Sequence, residues 1–173
     1  MIAACLLPDG ISPTRGQTRS ANEYEIKAAY LYNFAKFIDW PAEVFPYANA
    51  PIVIGVVGDD PFGHVLDQVI NGKTVNGRPL TVRRLAAGQD LRACHILFIS
   101  SSEESRAAQI VGSLQGASVL TVGDMSRFIH LGGMIRFALT GNNVRFEIHV
   151  GRAERARLRL SSRLLSVAKV LRG

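Results

Sequence analysis

Three short segments composed almost entirely of apolar residues, many of them β-branched, set the main constraint on the fold of this chain. They span residues 52–57, 94–99 and 119–122. Continuous apolar runs of this length, without polar alternation, are typical of strands buried on both faces of a parallel sheet. Parallel strands require crossover connections, which are usually helices. The runs therefore predict an α/β protein with a mainly parallel or mixed sheet flanked by helices.

Helical signals lie between these runs. The first helix is predicted to follow Asn22 as its N-cap, and its apolar residues return to one face at helical spacing. Pro41 ends it, because the residue before a proline avoids the helical conformation. Asp60 is expected to cap the next helix, with Pro61 in its first turn. The predicted helices span residues 23–38, 61–70 and 103–114.

The remaining segments have the pattern of hairpins and a terminal helix. Residues 74–84 read as a short strand, a turn and an alternating strand, and residues 134–139 and 144–150 as two strands joined by Thr140-Gly141-Asn142-Asn143. Leu164, Val167, Ala168 and Leu171 would share one face of a closing helix. The prediction is a single α/β domain over residues 22–173, ending in an antiparallel β-hairpin and this helix.

Residues 1–21 are predicted to form a disordered leader or the remnant of a signal sequence. No Lys or Arg precedes their short apolar stretch, so they do not form a complete secretory signal. The segment before Cys5 also fits the short sequence that precedes the lipidated cysteine of bacterial lipoproteins. No apolar run in the sequence approaches the ~20 residues that span a bilayer.

The net charge of +6 lies in the C-terminal sixth of the chain, because residues 145–173 hold eight basic and two acidic side chains. Seven of the eight basic residues are arginines, which bind carboxylate and phosphate groups in bidentate geometry. One interpretation is a solvated basic face; another is a surface for an acidic protein partner or lipid headgroups. Nucleic acid is not predicted as a partner, since the arginine-rich segment lacks aromatic residues for base stacking.

No catalytic, metal or cofactor site is predicted. The four histidines have no spacing suited to a shared metal ion, and no Ser or Cys lies in a recognisable nucleophile motif. Asp59 and Asp60 follow the first apolar run at the place where α/β proteins bind phosphates, but their charges would repel one. Single histidines in such a chain are more often structural than catalytic.

Several separated blocks of the sequence resemble the YfiR family. They are YEIKAAYLYNFAKFIDWP at residues 24–41, GDDPFG at 58–63, CHILFI at 94–99 and SSRLL at 161–165. The blocks occur in the family's order, and the resemblance runs from about residue 22 to the C-terminus.

The resemblance implies a periplasmic, non-enzymatic regulator. YfiR-like proteins bind the periplasmic domain of a membrane-bound diguanylate cyclase and repress it, and an outer-membrane lipoprotein can sequester the repressor. The expected output is control of cyclic diguanylate and hence of biofilm formation. The family fold is similar to the α/β domain predicted above, and a homodimer is expected.

The sequence departs from the family at a cysteine. Family members often carry a cysteine near the position of Gly55 or Val56, which can pair with the one matching Cys94. This chain has no cysteine there. Cys94 is therefore expected to be a buried free thiol, without redox control through that disulfide.

The predicted partner-binding residues are Arg136, Arg145, Glu147, Arg152 and Arg155, on the C-terminal hairpin and the segment after it. Glu147 is an acid among arginines, so it is expected either to orient them or to pair with a cation of the partner. The alternative for these residues is an internal salt-bridge network.

A different class of function is a periplasmic sensor that binds a small ligand. Such a protein needs an apolar pocket with a few polar groups. Trp40, Phe62 and Phe128 are the aromatic residues predicted to line it.

Overall fold

A long N-terminal helix packs against a central β-sheet in this protein. The computed structural model describes residues 15–86 and 88–173. The helices are α1 (Arg15–Phe37), α2 (His64–Ile70), α3 (Ala107–Ser113), α4 (Val150–Arg155) and α5 (Ser162–Val167). The strands are β1 (Ile38–Asp39), β2 (Ile52–Val57), β3 (Thr74–Val75), β4 (Arg78–Leu85), β5 (Ile96–Ile99), β6 (Leu120–Gly123), β7 (Ile135–Thr140), β8 (Asn143–His149), β9 (Arg159–Leu160) and β10 (Lys169–Leu171).

Eight strands form one mixed sheet in the order β10-β8-β7-β6-β5-β2-β4-β3. The five strands from β7 to β4 in this order run parallel to one another, and the β7–β8 and β3–β4 pairs are antiparallel. Strand β10 returns parallel to β8 at one edge. A separate antiparallel pair joins β1 to β9. The predicted class, a single α/β domain with a mainly parallel or mixed sheet and a C-terminal hairpin, is confirmed.

Two apolar clusters cover opposite faces of the sheet, because alternate side chains of each strand point to opposite sides. The larger cluster packs α1, α2 and α5 against one face, with Phe34, Phe137 and Phe146 among its fully buried rings. The smaller cluster packs α3 against β2, β5 and their neighbours, around Leu97 and Phe128. The strands formed by the three apolar runs contribute side chains to both clusters. This explains why apolar and polar residues do not alternate within the runs.

The predicted helix starts differ from the observed ones. Helix α1 begins at Arg15, so Asn22 lies inside it and is not its N-cap; a hydrogen bond from Arg19 to the Gly141 carbonyl ties the added part of the helix to the β7–β8 turn. Helix α2 begins at His64, because the Asp60 carboxylate accepts a hydrogen bond from the Phe62 N–H and closes a local turn before the helix. Residues 101–106 form a 3₁₀ segment before α3.

The predicted leader falls mostly outside the described residues. Residues 1–14, with Cys5, are not among them, and residues 15–21 belong to α1. The division of the chain after residue 21 therefore stays a prediction. Among the described helices, none is both long enough and apolar enough to cross a membrane.

The C-terminus differs most from the sequence prediction. The closing helix is present as α5, but it ends at Val167, and Ala168 is extended. The next three residues form β10, which hydrogen-bonds along β8. Spacing alone favoured a longer helix; the unpaired edge of β8 offers backbone partners that override this local pattern. Helix α4 and strand β9 were not predicted.

Candidate partner-binding face

The β7, β8 and β10 strands carry a row of charged side chains on one side of the sheet. Their other side faces the larger apolar cluster through residues such as Phe137 and Ile148. On the α3 side, the smaller cluster includes no residue of these three strands within the described chain. The apolar packing around α3 therefore does not extend over this part of the sheet. We call it the charged face; it consists of Arg136, Arg145, Glu147 and Lys169.

The strand register places Glu147 between two cations. Arg136 lies directly opposite Glu147 across the β7–β8 pair, and Lys169 lies beside it across the β8–β10 pair. Arg136 Nε donates to Glu147 Oε2 at 3.0 Å, and Lys169 Nζ donates to Oε1 at 2.7 Å. The hydrogen bond from Arg136, followed by that from Lys169, lowers the pKa of Glu147. The carboxylate, whose side chain is only 13% exposed, is therefore ionised and held in place.

Arg145 completes the charged face without an internal partner. Its register position is opposite Ala138, and its side chain is exposed. Within the described residues, its guanidinium forms no hydrogen bond or ion pair. The face thus presents three cations and one carboxylate, with the Arg145 guanidinium available to a binding partner.

Arg152 and Arg155 lie on α4, which follows β8 directly, and their contacts differ. Arg152 Nη1 donates to the carbonyl oxygens of Ile129 and Gly133, at 2.5 and 2.8 Å. These bonds hold the loop before β7 against α4; partner binding by Arg152 stays a prediction. Burial and the nearby charge of Arg155 lower the pKa of Arg152. Arg155 is exposed and forms no hydrogen bond within the described part of the chain.

The three aromatic residues predicted to line a pocket lie apart from one another. Trp40 Nε1 donates to the His95 carbonyl at 3.1 Å, and Trp40 lines a small cavity of about 250 Å³. Phe62 is buried in the larger cluster, where its ring contacts Phe98 edge to face. Phe128 is fully buried in the smaller cluster on the opposite side of the sheet. The structure does not bring them into one site.

Cys94 is a buried free thiol next to Gly55. A β-carbon added to Gly55 would lie 2.5 Å from Cys94 Sγ, which is shorter than a contact between two non-bonded atoms. Burial raises the pKa of the Cys94 thiol to about 11, so the thiol stays protonated near neutral pH and is a poor nucleophile.

A buried charged cluster joins α1 to the start of the loop before β7. It was not predicted from the sequence. Lys27 is 3% exposed; its ammonium contacts Asp124 Oδ2 at 2.7 Å and Glu23 Oε1 at 2.5 Å. Tyr24 donates its hydroxyl hydrogen to the same Asp124 oxygen at 2.9 Å. The sequence does contain a signal for the pair of Lys27 with Glu23, because the two residues are four apart on a predicted helix and Lys27 lies among its apolar residues. Nothing in the sequence pattern identified Asp124 as its partner.

Comparison with known families decides which group of proteins the chain resembles. A family described as YfiR/HmsC-like matches residues 24–169, which is most of the chain. The chain belongs to the YfiR/HmsC-like family. No curated protein matches it with significant similarity.

Membership in the YfiR/HmsC-like family defines the general role. The family is periplasmic, regulatory and non-catalytic, and it is connected with the control of diguanylate cyclases. Among the described residues, no cluster of three or more metal-ligating side chains occurs.

Proposed function

We propose that the protein represses an inner-membrane diguanylate cyclase by binding its periplasmic domain through the charged face. Repression of the cyclase would lower cyclic diguanylate and restrain biofilm formation. The observation that carries this proposal is the combination, on one side of the sheet, of the fixed carboxylate of Glu147 and the exposed guanidinium of Arg145.

Fixed charges favour a specific partner over a non-specific one. Glu147 is already ionised and oriented, so little side-chain entropy is lost when a partner places a cation beside it. Arg145 can pair with a carboxylate of the partner in bidentate geometry. We infer a partner surface that carries both signs of charge, with an acidic group opposite Arg145.

Binding of the full chain to the periplasmic domains of the host's membrane-bound diguanylate cyclases tests the proposal. We expect one domain to bind, with a lower affinity at about 150 mM than at about 50 mM NaCl, because exposed charges are screened by salt. Arg145→Glu should abolish this binding. Arg163→Glu is the matched control: Arg163 is an exposed arginine on α5, outside the charged face, and the variant should bind like the native chain.

Two results would overturn the proposal. One is the absence of binding to every cyclase domain in both buffers, and the other is an equal loss of binding in the Arg145→Glu and Arg163→Glu variants. A cellular assay adds the regulatory readout: Arg145→Glu should raise cyclic diguanylate, while the Arg163→Glu strain stays at the native level.

We also propose that the protein forms a homodimer and that an outer-membrane lipoprotein sequesters it. Strand β10 is an edge of the main sheet, and Val167 beside it is 62% exposed, so this edge supports pairing with a second copy. Light scattering of the full chain at micromolar concentration should give a dimeric mass. A monomeric mass across that range would exclude the dimer.

A second candidate function is the sensing of a small ligand at the cavity beside Trp40. Phe45 and Arg78 also line this cavity, which provides aromatic surface and one cation. A thermal-shift screen against amino acids, vitamins and nucleotides tests it, because a ligand at 100 times its Kd adds about 2.7 kcal/mol to stability. A hit that disappears in Trp40→Ala would favour this candidate; no hit would remove it.

A further inference from the structure

A cavity of about 490 Å³ lies between α3, the loop before β7 and α4. It exists because its walls contain many residues with little or no side chain, including Ala108, Gly112, Gly116 and Gly132. A β-carbon added to Gly112 or Gly116 would meet no atom within 4 Å. The space has the volume expected for a small organic ligand.

The walls combine an apolar part with a basic part. Val111, Leu131 and Met134 are among the apolar residues that line it. Its lining includes Arg152 and Arg155 and no aspartate or glutamate. The cavity is therefore both apolar and positively charged.

The two arginines are not equivalent as ligand-binding groups. Arg152 Nη1 is already bound to the carbonyl oxygens of Ile129 and Gly133. Arg155 has no hydrogen-bond partner within the described residues, so its guanidinium donors are free to turn toward the cavity. The hydroxyl of Thr121, which also lines it, accepts a hydrogen bond from the Met134 N–H. Of the two cations in the lining, Arg155 is therefore the one whose donors remain for an anion; the Thr121 hydroxyl hydrogen and the Gln115 amide are neutral donors in the same lining.

The two guanidinium groups also lie close enough to His149 to act on it. His149 lies one residue before α4, and its pKa is lowered by burial and then by the charges of Arg152 and Arg155. The carboxylate nearest along β8, Glu147, is already paired with Arg136 and Lys169. An anion in the cavity would relieve the repulsion between the two guanidinium groups.

We propose that this cavity binds an organic anion with an apolar body, such as an alkyl carboxylate or alkyl phosphate. The Arg155 guanidinium binds the anionic group, and the apolar body packs against Leu131, Val111 and Met134. The residues that line the cavity include none of the charged face, and binding there does not require a cyclase partner.

Titration of the full chain with small probes tests the site directly. Octanoate carries both required features, octanamide has the same chain without the charge, and acetate has the charge without the chain. We expect octanoate to bind with a Kd of about 1 mM or lower, and the other two at least about tenfold more weakly. Octyl phosphate, compared with octanoate, identifies which anionic group the site prefers.

Arg155→Ala should weaken octanoate binding about tenfold, because a charge-assisted hydrogen bond is lost. Arg163→Ala removes the same charge from a distant exposed position and should leave binding unchanged, and Arg155→Lys should bind with intermediate affinity. Calorimetry supplies the Kd, and amide chemical shifts should change around α3 and the loop before β7. Equal binding of octanoate and octanamide, equal effects of the two alanine variants, or no binding at 10 times the expected Kd would each overturn the proposal.

Discussion

Arg136 and Glu147 lie directly opposite each other on β7 and β8, and the Arg136 guanidinium donates to the Glu147 carboxylate at 3.0 Å. Because Lys169 binds the other carboxylate oxygen from β10, one acid connects three strands at the edge of the sheet. The pairing serves the fold as well as the proposed interface. Variants of Glu147 are therefore expected to change stability to some degree, and Arg145 is the cleaner position for testing partner binding.

Substitutions of Glu147 measure how much its two ion pairs contribute to the free energy of unfolding. Glu147→Gln keeps the size of the side chain and removes its charge, so we expect a loss of about 1 kcal/mol in the free energy of unfolding. Glu147→Lys places three cations in register on adjacent strands and should cost more than Glu147→Gln. Urea denaturation of both variants and of Arg145→Gln, which breaks no observed contact, gives the comparison. Equal stability of all three would contradict a structural role.

The buried parts of the fold were predictable from the sequence, because apolar runs report burial directly. The β3–β4 turn was also predictable: Asn76 and Gly77 both adopt positive φ angles, which Asn-Gly favours. Strand β10 was not, since its partner β8 is distant in sequence and the local spacing favoured a helix.

Of the predicted partner-binding residues, Arg136, Arg145 and Glu147 do share a face. The bonds of Arg152 to backbone carbonyls could not be predicted from the sequence, because they depend on how the loop before β7 folds. The cavity beside Arg155 is formed by elements from three separate parts of the chain, so sequence alone could not reveal it.

His95 should make the stability depend on pH. Its Nδ1 accepts a hydrogen bond from the Val53 N–H at 3.0 Å, and its ring stacks on Phe45. Burial, and then the charge of Arg78, lowers its pKa from 6.5 to about 4. Between these values the unfolded chain binds more protons than the folded one, so the free energy of unfolding falls as the pH is lowered. The full contribution, about 3 kcal/mol, is present above pH ~6.5 and is lost toward pH ~4.

His95→Asn isolates this effect, because its side-chain oxygen can still accept from Val53 but does not titrate. Urea denaturation between pH 4.5 and pH 6 should show a slope smaller by up to about 1.4 kcal/mol per pH unit than in the native chain. His130→Asn, at an exposed histidine, should retain the native slope. An unchanged slope in His95→Asn would show that other groups cause the pH dependence.

Gly55→Cys should form a disulfide with Cys94. The added β-carbon would lie next to Cys94 Sγ, and the bond would close a loop of about 40 residues, which stabilises a protein by up to about 4 kcal/mol. Contacts with Leu97 and Leu85 oppose part of this gain. The oxidised variant should therefore melt at a higher temperature than the same variant after reduction.

Gly55→Ser is the matched control, because it has a similar size and cannot cross-link. It should be less stable than the native chain, since its β-carbon meets the same crowding. Peptide mapping under oxidising conditions identifies the 55–94 bond. Recovery of Cys94 as a free thiol in the folded, oxidised variant would contradict the geometry.

The ion pair of Lys27 with Asp124 should show strong coupling, because both groups are largely removed from water. Asp124→Ala leaves the Lys27 ammonium buried with Glu23 alone, and we expect a loss of about 3 kcal/mol in the free energy of unfolding. Lys27→Met removes the charge while its apolar chain keeps the contacts with the core, so the double variant should be more stable than the sum of the two single changes predicts. Urea denaturation of the four chains gives the coupling energy.

The pKa of Tyr24 provides a second readout of the same cluster. A simple packing defect would not change it. Burial, and then the charge of Asp124, raises the pKa of Tyr24 well above the usual 10. Removing the carboxylate charge in Asp124→Asn should lower this pKa toward 10, because the tyrosinate is no longer repelled. Ultraviolet titration of Tyr24→Phe in each background assigns the signal to this ring. Additive stabilities together with an unchanged tyrosine titration would show that Lys27, Asp124 and Tyr24 do not act as one cluster.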